Sequence, residues 1–543
     1  MRDKNLVKSL QESLPWNDFL DALESSGFKR FHSIDTIKLS SDLQYKKMIT
    51  SGSAIIVNSK VLSLGLKDPS LLSLSPYMLF RPITESQLKS IIVQAQKFKI
   101  PITFAAGKTG LSGGFANYAA IIDLSVLHSL DYPYEIDLKK EVINVEQGVL
   151  VSDLIKLVPI RTNKEFIFPV QPASALKLPV RVGGLISSNA SGVTSGKLGA
   201  AEDWIETLRI MLPNGEIIEI GRESPFFHKI VGGNGYFAVV LNATFRLYKP
   251  EKELKYKIIY GYNLDSAFNG LQNVLEHKIF PLISEFVSSP LKLPGIFNDL
   301  NINDKTSEIV KWAVMLKGSP SEVTSFAEIM NNESECLMKD LSEEAFQDYL
   351  QERSAFALLV QTTDKDSDFI AFPGFEDILS PPKFLPEIIR TINSIFKDKD
   401  FHEVIFGYGH INFRKGKGLL LHMRLPVPIE YLYKENEVKK ALICETVYNV
   451  ITTLKEKYGI QPKAEHSPGI YKILLDYKFR NQLRHDIIQN QAFYNPHLII
   501  FDNVAKKIQE ANANSERVPY LVNQNLTKDV EKQVVVSFML NYI

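Results

Sequence analysis

The stretch Ala106-Gly107-Lys108-Thr109-Gly110-Leu111-Ser112-Gly113-Gly114 sets glycines among two hydroxyls and a lysine. A backbone so poor in side chains bends cheaply and turns its N–H groups toward an anion, the chemistry that a phosphate or diphosphate ligand requires. The embedded Gly-Lys-Thr raises a P-loop, but that motif needs a glycine five positions before Gly107, where Ile102 stands. Rossmann spacing is absent as well. Alone, such a loop is more often a tight connection between strands than a cofactor site.

Two further segments change that balance. Val182-Gly183-Gly184-Leu185-Ile186-Ser187-Ser188-Asn189-Ala190-Ser191-Gly192 is again small and polar, extended by Gly196 and Gly199, and Val231-Gly232-Gly233-Asn234-Gly235 is a third such cluster. Each lies beside strand-like sequence. Together they suggest one extended ligand lying across several loops with close backbone approach. Three independent surface turns are the alternative.

The elements that must position these loops follow from spacing. Thr84-x-x-Gln87 is a capping box, and Leu88, Ile91, Ile92, Ala95 and Phe98 recur at helical intervals until Pro101. Ile100–Phe104 and Ala119–Leu124 read as strands on either side of the glycine loop, with more strands at Val142–Glu146 and Thr207–Leu212. Pro213-Asn214-Gly215 turns the latter into Glu216–Ile220 as a hairpin. Val239–Tyr248 alternates apolar and polar residues, the pattern of a half-buried strand, and Pro250 with Glu251-Lys252-Glu253 marks a boundary. The division predicted is 1–75 as an extension, 76–250 as a first unit, 251–440 as a second, and 441–543 as a C-terminal segment.

Composition narrows the class. A chain of 543 residues exceeds one compact core, and its 45% hydrophobic and 23% charged residues are those of a globular protein. Lys and Arg number 62 and Asp and Glu 62, so no global field favours nucleic acid. Two cysteines far apart, Cys336 and Cys444, argue against a disulfide scaffold, a cysteine zinc site or an iron–sulfur cluster. The start lacks a signal-peptide core and no run of about eighteen apolar residues occurs, so a cytoplasmic protein is expected, with peripheral contact at the inner membrane left open.

The order Phe80-Arg81-Pro82-x-Thr84, Gly107-x-Thr109-Gly110-Leu111-Ser112-Gly113-Gly114, Phe168-Pro169-x-Gln171-Pro172-Ala173-Ser174, Gly183-Gly184 through Asn189-Ala190-Ser191-Gly192, and Leu212-Pro213-Asn214-Gly215-Glu216 resembles the FAD-linked oxidases of the vanillyl-alcohol oxidase/p-cresol methylhydroxylase (PCMH) type. Within them it is most similar to the D-lactate, glycolate and D-2-hydroxyglutarate dehydrogenases. The resemblance spans residues 76–250 and resumes more weakly near 405–500, where Tyr494-Asn495-Pro496 resembles the family's closing segment. It implies an α+β fold: a two-subdomain PCMH-type FAD-binding domain with an inserted α+β cap domain over the flavin, the C-terminal segment returning to the first domain. The implied cofactor-binding positions are Gly107, Lys108, Thr109, Gly110, Leu111, Ser112, Gly113, Pro172, Ser174, Gly183, Gly184, Ser187, Asn189, Ser191, Gly192, Gly199, Ala238 and Val239. The chain departs from the family at Phe104-Ala105-Ala106, where an arginine and more glycines are common, and at Gly232–Ala238. No histidine or cysteine occurs in 104–117, where relatives often carry a covalent flavin link, so the FAD is expected to be non-covalent.

Dehydrogenation of a 2-hydroxy acid by a flavin needs a base for the hydroxyl proton, cationic or metal groups for the carboxylate, and a cage placing the C–H at flavin N5. Glu465-His466-Ser467-Pro468-Gly469-Ile470-x-Lys472 resembles the family's Glu-His-Gly-x-Gly-x-x-Lys. That resemblance makes His466 the candidate base and Glu465 a candidate metal ligand; a surface Glu-His pair is the bland reading.

The segment Tyr408–Arg424 reads as a hairpin. A three-residue loop, Lys415-Gly416-Lys417, pairs Arg414 with Gly418 and sets His410 opposite His422. Ile411, Phe413, Leu419, Leu421 and Met423 then share an apolar face, and His410, Asn412, Arg414, His422 and Arg424 share the other, with Leu420 the exception. Gly409-His410 matches the start of a motif in metal-dependent relatives whose second histidine is replaced here by Lys417. Three readings stay open: His410, His422 and Glu465 hold a divalent ion; Arg414 or Arg424 binds a carboxylate directly; or the hairpin is a solvated basic surface.

The leading expectation is thus an FAD-dependent dehydrogenase of a D-2-hydroxy acid, with His466, His410, Arg414 and Arg424 around the substrate. Its electron acceptor is open among a quinone, a cytochrome, an electron-transfer flavoprotein and oxygen, and homo-oligomerisation is open too. The alternatives are a same-fold oxidase of an alcohol or sugar lactone, a non-catalytic flavin-binding subunit, and an interaction protein using only the fold.

Overall fold

The computed structural model describes residues 11–26, 29–30, 55–58, 77–110, 114–115, 117–127, 132–288, 310–359, 369–372, 378–399, 401, 407–412, 418–423, 425–432, 436–460, 485, 492–496 and 499. Helix α1 (Trp16–Ser25) packs on α2 (Glu85–Phe98), which begins where the capping signal placed it: Thr84 Oγ1 accepts the Gln87 N–H at 3.3 Å. Leu88, Ile91, Ile92 and Ala95 are buried along one stripe, and Lys99, in the left-handed region at φ 53°, ends the helix before Pro101.

Those stripes cover a five-stranded sheet of order β1-β2-β3-β5-β4, made of β1 (Lys29–Arg30), β2 (Ile55–Asn58), β3 (Met78–Arg81), β4 (Ile102–Ala105) and β5 (Ala120–Asp123). β3, β5 and β4 run parallel, so the glycine loop after β4 emerges at their shared carboxyl ends. In open α/β sheets ligands settle at that edge.

A second five-stranded sheet has the order β6-β7-β10-β8-β9, with β6 (Tyr134–Asp137), β7 (Val142–Glu146), β8 (Ile205–Met211), β9 (Ile217–Gly221) and β10 (Val239–Arg246). The predicted hairpin is β8–β9, closed through Gly215 at φ 79°. β10 differs from the half-buried strand expected of it, being buried from Val239 to Ala243. The reason is its central place between two cores: Val239 and Leu241 pack with the first sheet, Val240, Ala243 and Phe245 with the second. Helices α3 (Val151–Arg161), α4 (Val182–Ser187), α5 (Ser195–Leu198) and α6 (Phe227–Ile230) and a 3-10 turn at Ala173–Leu176 complete this unit. The chain returns to it late, for Ile102 N donates to Tyr494 O at 2.9 Å and Phe493 packs edge-on against Phe104 at 4.7 Å.

After the exposed run 251–253 the chain enters a seven-stranded sheet of order β14-β11-β13-β12-β17-β18-β16. Its strands are β11 (Lys255–Gly261), β12 (Ile283–Ser288), β13 (Trp312–Gly318), β14 (Cys336–Asp340), β16 (Ile378–Ser380), β17 (Gly407–Asn412) and β18 (Gly418–Met423); β15 (Phe369–Phe372) and β19 (Leu425–Pro428) pair separately. One face carries α7 (Leu264–Glu276), α8 (Pro320–Glu333), α10 (Leu385–Lys397) and α11 (Glu437–Tyr458), which bury Phe268, Phe326, Ile392 and Val447 against Phe286, Trp312, Val314 and Leu421. Each large side chain fully buried there contributes on the order of 1.5–3 kcal/mol. α11 runs unbroken through residue 440.

The opposite face carries α9 (Glu343–Leu359) and meets the first unit: Ile283, Val287 and Tyr408 share a core with Ala173, Val193 and Leu198. Lys197 Nζ to Glu322 Oε1 at 2.8 Å adds an ion pair across that junction. No helix among the described residues is long and apolar enough to cross a membrane.

Candidate active site

The glycine segments converge. Phe104-Ala105-Ala106, Gly107, Lys108, Thr109, Gly110, Pro172, Ser174, Arg181, Gly184, Ser187, Ser191 and Asn234 line one open cleft with about 1060 Å³ of atom-free space. A second hollow of about 460 Å³ shares Phe104–Ala106, Gly184, Ser187 and Asn234 with it and extends past Gln147, Gly183, Ala238 and Val239. Shared walls make them one groove.

The loop after β4 is strapped down by charge. Asp123, at the end of β5, accepts Arg81 Nε at 2.8 Å, Arg81 Nη2 at 2.7 Å and Lys108 Nζ at 3.2 Å. Burial opposes the carboxylate's charge, and Arg81 and Lys108 more than offset it, so Asp123 titrates below its ordinary range. Lys108 is itself left-handed at φ 55°, the kink that folds the loop back over the sheet edge.

Not every position implied by the resemblance lines the groove. Asn189, Gly192 and Gly199 do not; they shape the walls instead. Asn189 Oδ1 accepts the Glu202 N–H at 3.0 Å, and a Cβ on Gly192 would lie 2.2 Å from Gln171 O. Gly199, at φ 85°, closes α5. Leu111, Ser112 and Gly113 lie outside the described residues. Two polar lining residues escaped the sequence reading. Arg181 sits just before α4, and Gln147 lies beneath Gly183.

The groove's chemistry fits a long polar ligand. A Cβ at Gly184 would meet no atom within 4 Å, so the missing side chain leaves open space in both parts of the groove. Gln147 Oε1 and Arg181 Nε are buried with no hydrogen-bond partner, an acceptor and a donor awaiting one. Such groups are costly unless a ligand or water meets them.

A second polar cluster lies on the face of the seven-stranded sheet that meets the first unit. β17 pairs with β12 so that His410 stands opposite Glu285, and His410 Nδ1 donates to Glu285 Oε1. Arg353, from α9, donates through Nε to Glu285 Oε2 at 2.9 Å and lies 4.2 Å over the Tyr408 ring. His422 packs 5.0 Å from Tyr408 and 5.7 Å from His410 between ring centroids. Glu285 is fully buried; burial works against its charge, yet His410 and Arg353 outweigh it and hold its carboxyl below the ordinary range. A carboxylate only accepts, so the bond fixes the proton on Nδ1 and makes Nε2 the nitrogen for a ligand or for proton transfer.

The hairpin register corrects the sequence reading. Asn412 pairs with Gly418 and His410 with Leu420, so Tyr408, not His410, stands opposite His422. The slip is two residues, which preserves each face: Ile411, Leu419, Leu421 and Met423 enter the core while His410 and His422 share the other side. Flanking pairs with β12 and β16 set the register, outweighing the turn. The sequence reading missed both Glu285, for which a lone charge inside Leu282–Val287 was the available signal, and Arg353, which nothing in the sequence flagged. Phe413, Arg414, Arg424, Glu465 and His466 lie outside the described residues, and among those described no three metal-ligating side chains converge.

A family profile described as an FAD binding domain matches residues 76–221, the region that builds most of the groove. The chain is an FAD-dependent oxidoreductase. FAD is its cofactor, and its fold is the PCMH-type FAD-binding fold with a second α+β unit. The flavoenzyme is 20% identical to a D-lactate dehydrogenase of Anaerostipes hadrus, over 61% of this chain and 71% of that one. It is 25% identical to glycolate oxidase subunit GlcD of Bacillus subtilis (strain 168), again over 61% and 71%. Among solved structures, 4-ethylphenol oxidase from Gulosibacter chungangensis in its isoeugenol complex shares the fold with a TM-score of 0.60 at 13% identity, over 84% of this chain and 96% of that one.

Proposed function

We propose that this flavoenzyme oxidises the CH–OH group of a D-2-hydroxy acid resembling lactate, glycolate or 2-hydroxyglutarate. One observation carries the reading: the face bearing Glu285, His410, His422 and Arg353 packs on Ala173–Leu176, the turn whose Ser174 lines the groove. A polar, cation-bearing cluster there suits a carboxylate placed beside the cofactor. The names of the relatives, D-lactate dehydrogenase and glycolate oxidase subunit, support the same substrate class.

The groove residues, Gly107–Gly110, Pro172, Ser174, Gly183, Gly184, Ser187, Ser191, Ala238 and Val239 among them, would hold FAD. When bound, FAD supplies the acceptor for the substrate's hydride. His466 takes the hydroxyl proton, and His410, held by Glu285, joins Arg414 and Arg424 in fixing the substrate's carboxylate. A divalent ion bound here would be held by His410 and His422, whose ring centroids lie 5.7 Å apart, with Glu465 as the proposed third ligand, and it would serve as a Lewis acid for the carboxylate.

Anaerobic addition of a panel of D- and L-2-hydroxy acids, read at the flavin absorbance, tests the reading. Bleaching by one or more D-acids is expected. A flavin that no hydroxy acid reduces, or that an alcohol or sugar lactone reduces instead, overturns it. Metal analysis of the same sample decides whether the histidine pair holds an ion.

A further inference from the structure

Arg181 is the residue before α4, and its backbone is held on both sides. It bridges to Leu150 in antiparallel fashion, and its carbonyl accepts the Leu185 N–H at 2.9 Å. The side chain enters the groove beside Gly107, Lys108, Gly184 and Ser187. There Nη1 donates to Gly148 O, while Nε is buried and meets no partner. Among the described residues no carboxylate lies within ion-pair distance of it; Asp123 and Asp153 attract it only from farther off, and Asp123 is already bonded by Arg81 and Lys108. The groove therefore holds a guanidinium that has no direct ion-pair partner.

We propose that Arg181 is the groove's diphosphate anchor, its guanidinium donating to a phosphoryl oxygen of FAD. This rests on the reading that the groove takes FAD. The diphosphate is the only anionic part of that cofactor, and a planar guanidinium matches phosphoryl oxygens better than any other side chain. Lys108 Nζ is paired with Asp123, so among the described lining residues Arg181 is the cation without an ion pair. The anchor gives this half-buried arginine a partner for the part of its guanidinium that Gly148 O does not take.

The test compares FAD with riboflavin, which lacks phosphate, binding to the flavin-stripped full chain. Affinities are read by flavin fluorescence at low and high salt for wild type, Arg181→Gln and Arg181→Lys, with circular dichroism confirming the fold. Arg181→Gln is expected to weaken FAD about 10- to 100-fold, the range of a hydrogen bond to a charged group. It is also expected to flatten the salt dependence and leave riboflavin unchanged, with Arg181→Lys in between. Equal FAD binding by wild type and Arg181→Gln overturns the anchor and leaves the groove intact. Equal loss of FAD and riboflavin also overturns it, since Arg181 would then act on the ring or on the groove's shape. A wild-type chain that binds neither flavin overturns the groove reading itself.

Discussion

Glu285 stands directly opposite His410 across the β12–β17 pair, and its two carboxylate oxygens are divided between His410 Nδ1 and Arg353 Nε. One strand, its neighbour and a helix that falls between them in the chain are thus tied at a single buried anion. Removing that anion strands a guanidinium and an imidazole inside the protein, and breaking a buried pair costs about 3–5 kcal/mol. Glu285→Ala is expected to lose stability of that order, and Glu285→Gln less, because the amide oxygen still accepts one bond. Urea unfolding of both variants checks this. Identical midpoints for Glu285→Ala and wild type would refute it.

Asp123 sets the acid limb of stability. Its folded pKa lies below the ordinary 3.8, so its contribution is complete above that value and is lost as the pH falls through the lower folded value. Wild type should therefore lose stability below pH 3.8 more steeply than Asp123→Asn. At pH 7 the variant should be the less stable, with Arg81 and Lys108 deprived of their counter-ion. Unfolding midpoints across a pH series decide it; parallel curves for the two proteins would sink the assignment.

How much of this was legible in the sequence depended on how local the cause was. The helix after Thr84 and the Gly215 hairpin were read correctly, since caps and turns act within a few residues. The grouping of the glycine loops into one groove was also legible, because small residues beside strands mark close approach wherever the strands end. The register of β17 on β18 was not, because it is imposed by β12 and β16, far away in sequence. Arg353 was invisible for the same reason: a helical arginine among Gln351 and Glu352 looks solvated until the fold seats it on Glu285.

Gly184 separates folding from cofactor binding. A Cβ there enters open groove, not protein, so Gly184→Val should fold with an unchanged thermal midpoint in the flavin-free state. FAD affinity should fall at least about tenfold, equivalent to about 1.4 kcal/mol, because the added methyls occupy ligand space. Gly107→Ala makes the contrast: its Cβ would lie 2.2 Å from Pro179 O, so the fold itself must shift. Calorimetry of the stripped proteins with FAD titration checks both halves. A Gly184→Val protein with wild-type FAD affinity would remove the cofactor from that wall.

Gly409 performs the corresponding service for the face proposed to take the substrate. A Cβ on it would stand 1.6 Å from Leu420 O, so alanine there forces β17 away from β18 at the residue next to His410. The groove proposed to hold FAD is built from other strands and should be untouched. Gly409→Ala is therefore expected to retain FAD at wild-type affinity while its rate of flavin reduction by the best hydroxy acid falls at least about tenfold. Displacing a positioned group costs rate in this way, for about 1 Å of misplacement can cost on the order of 10²-fold. Stopped-flow reduction with FAD-saturated enzyme reads the effect. Wild-type reduction rates would mean that His410 takes no part in the chemistry and that the face it shares with His422 is structural.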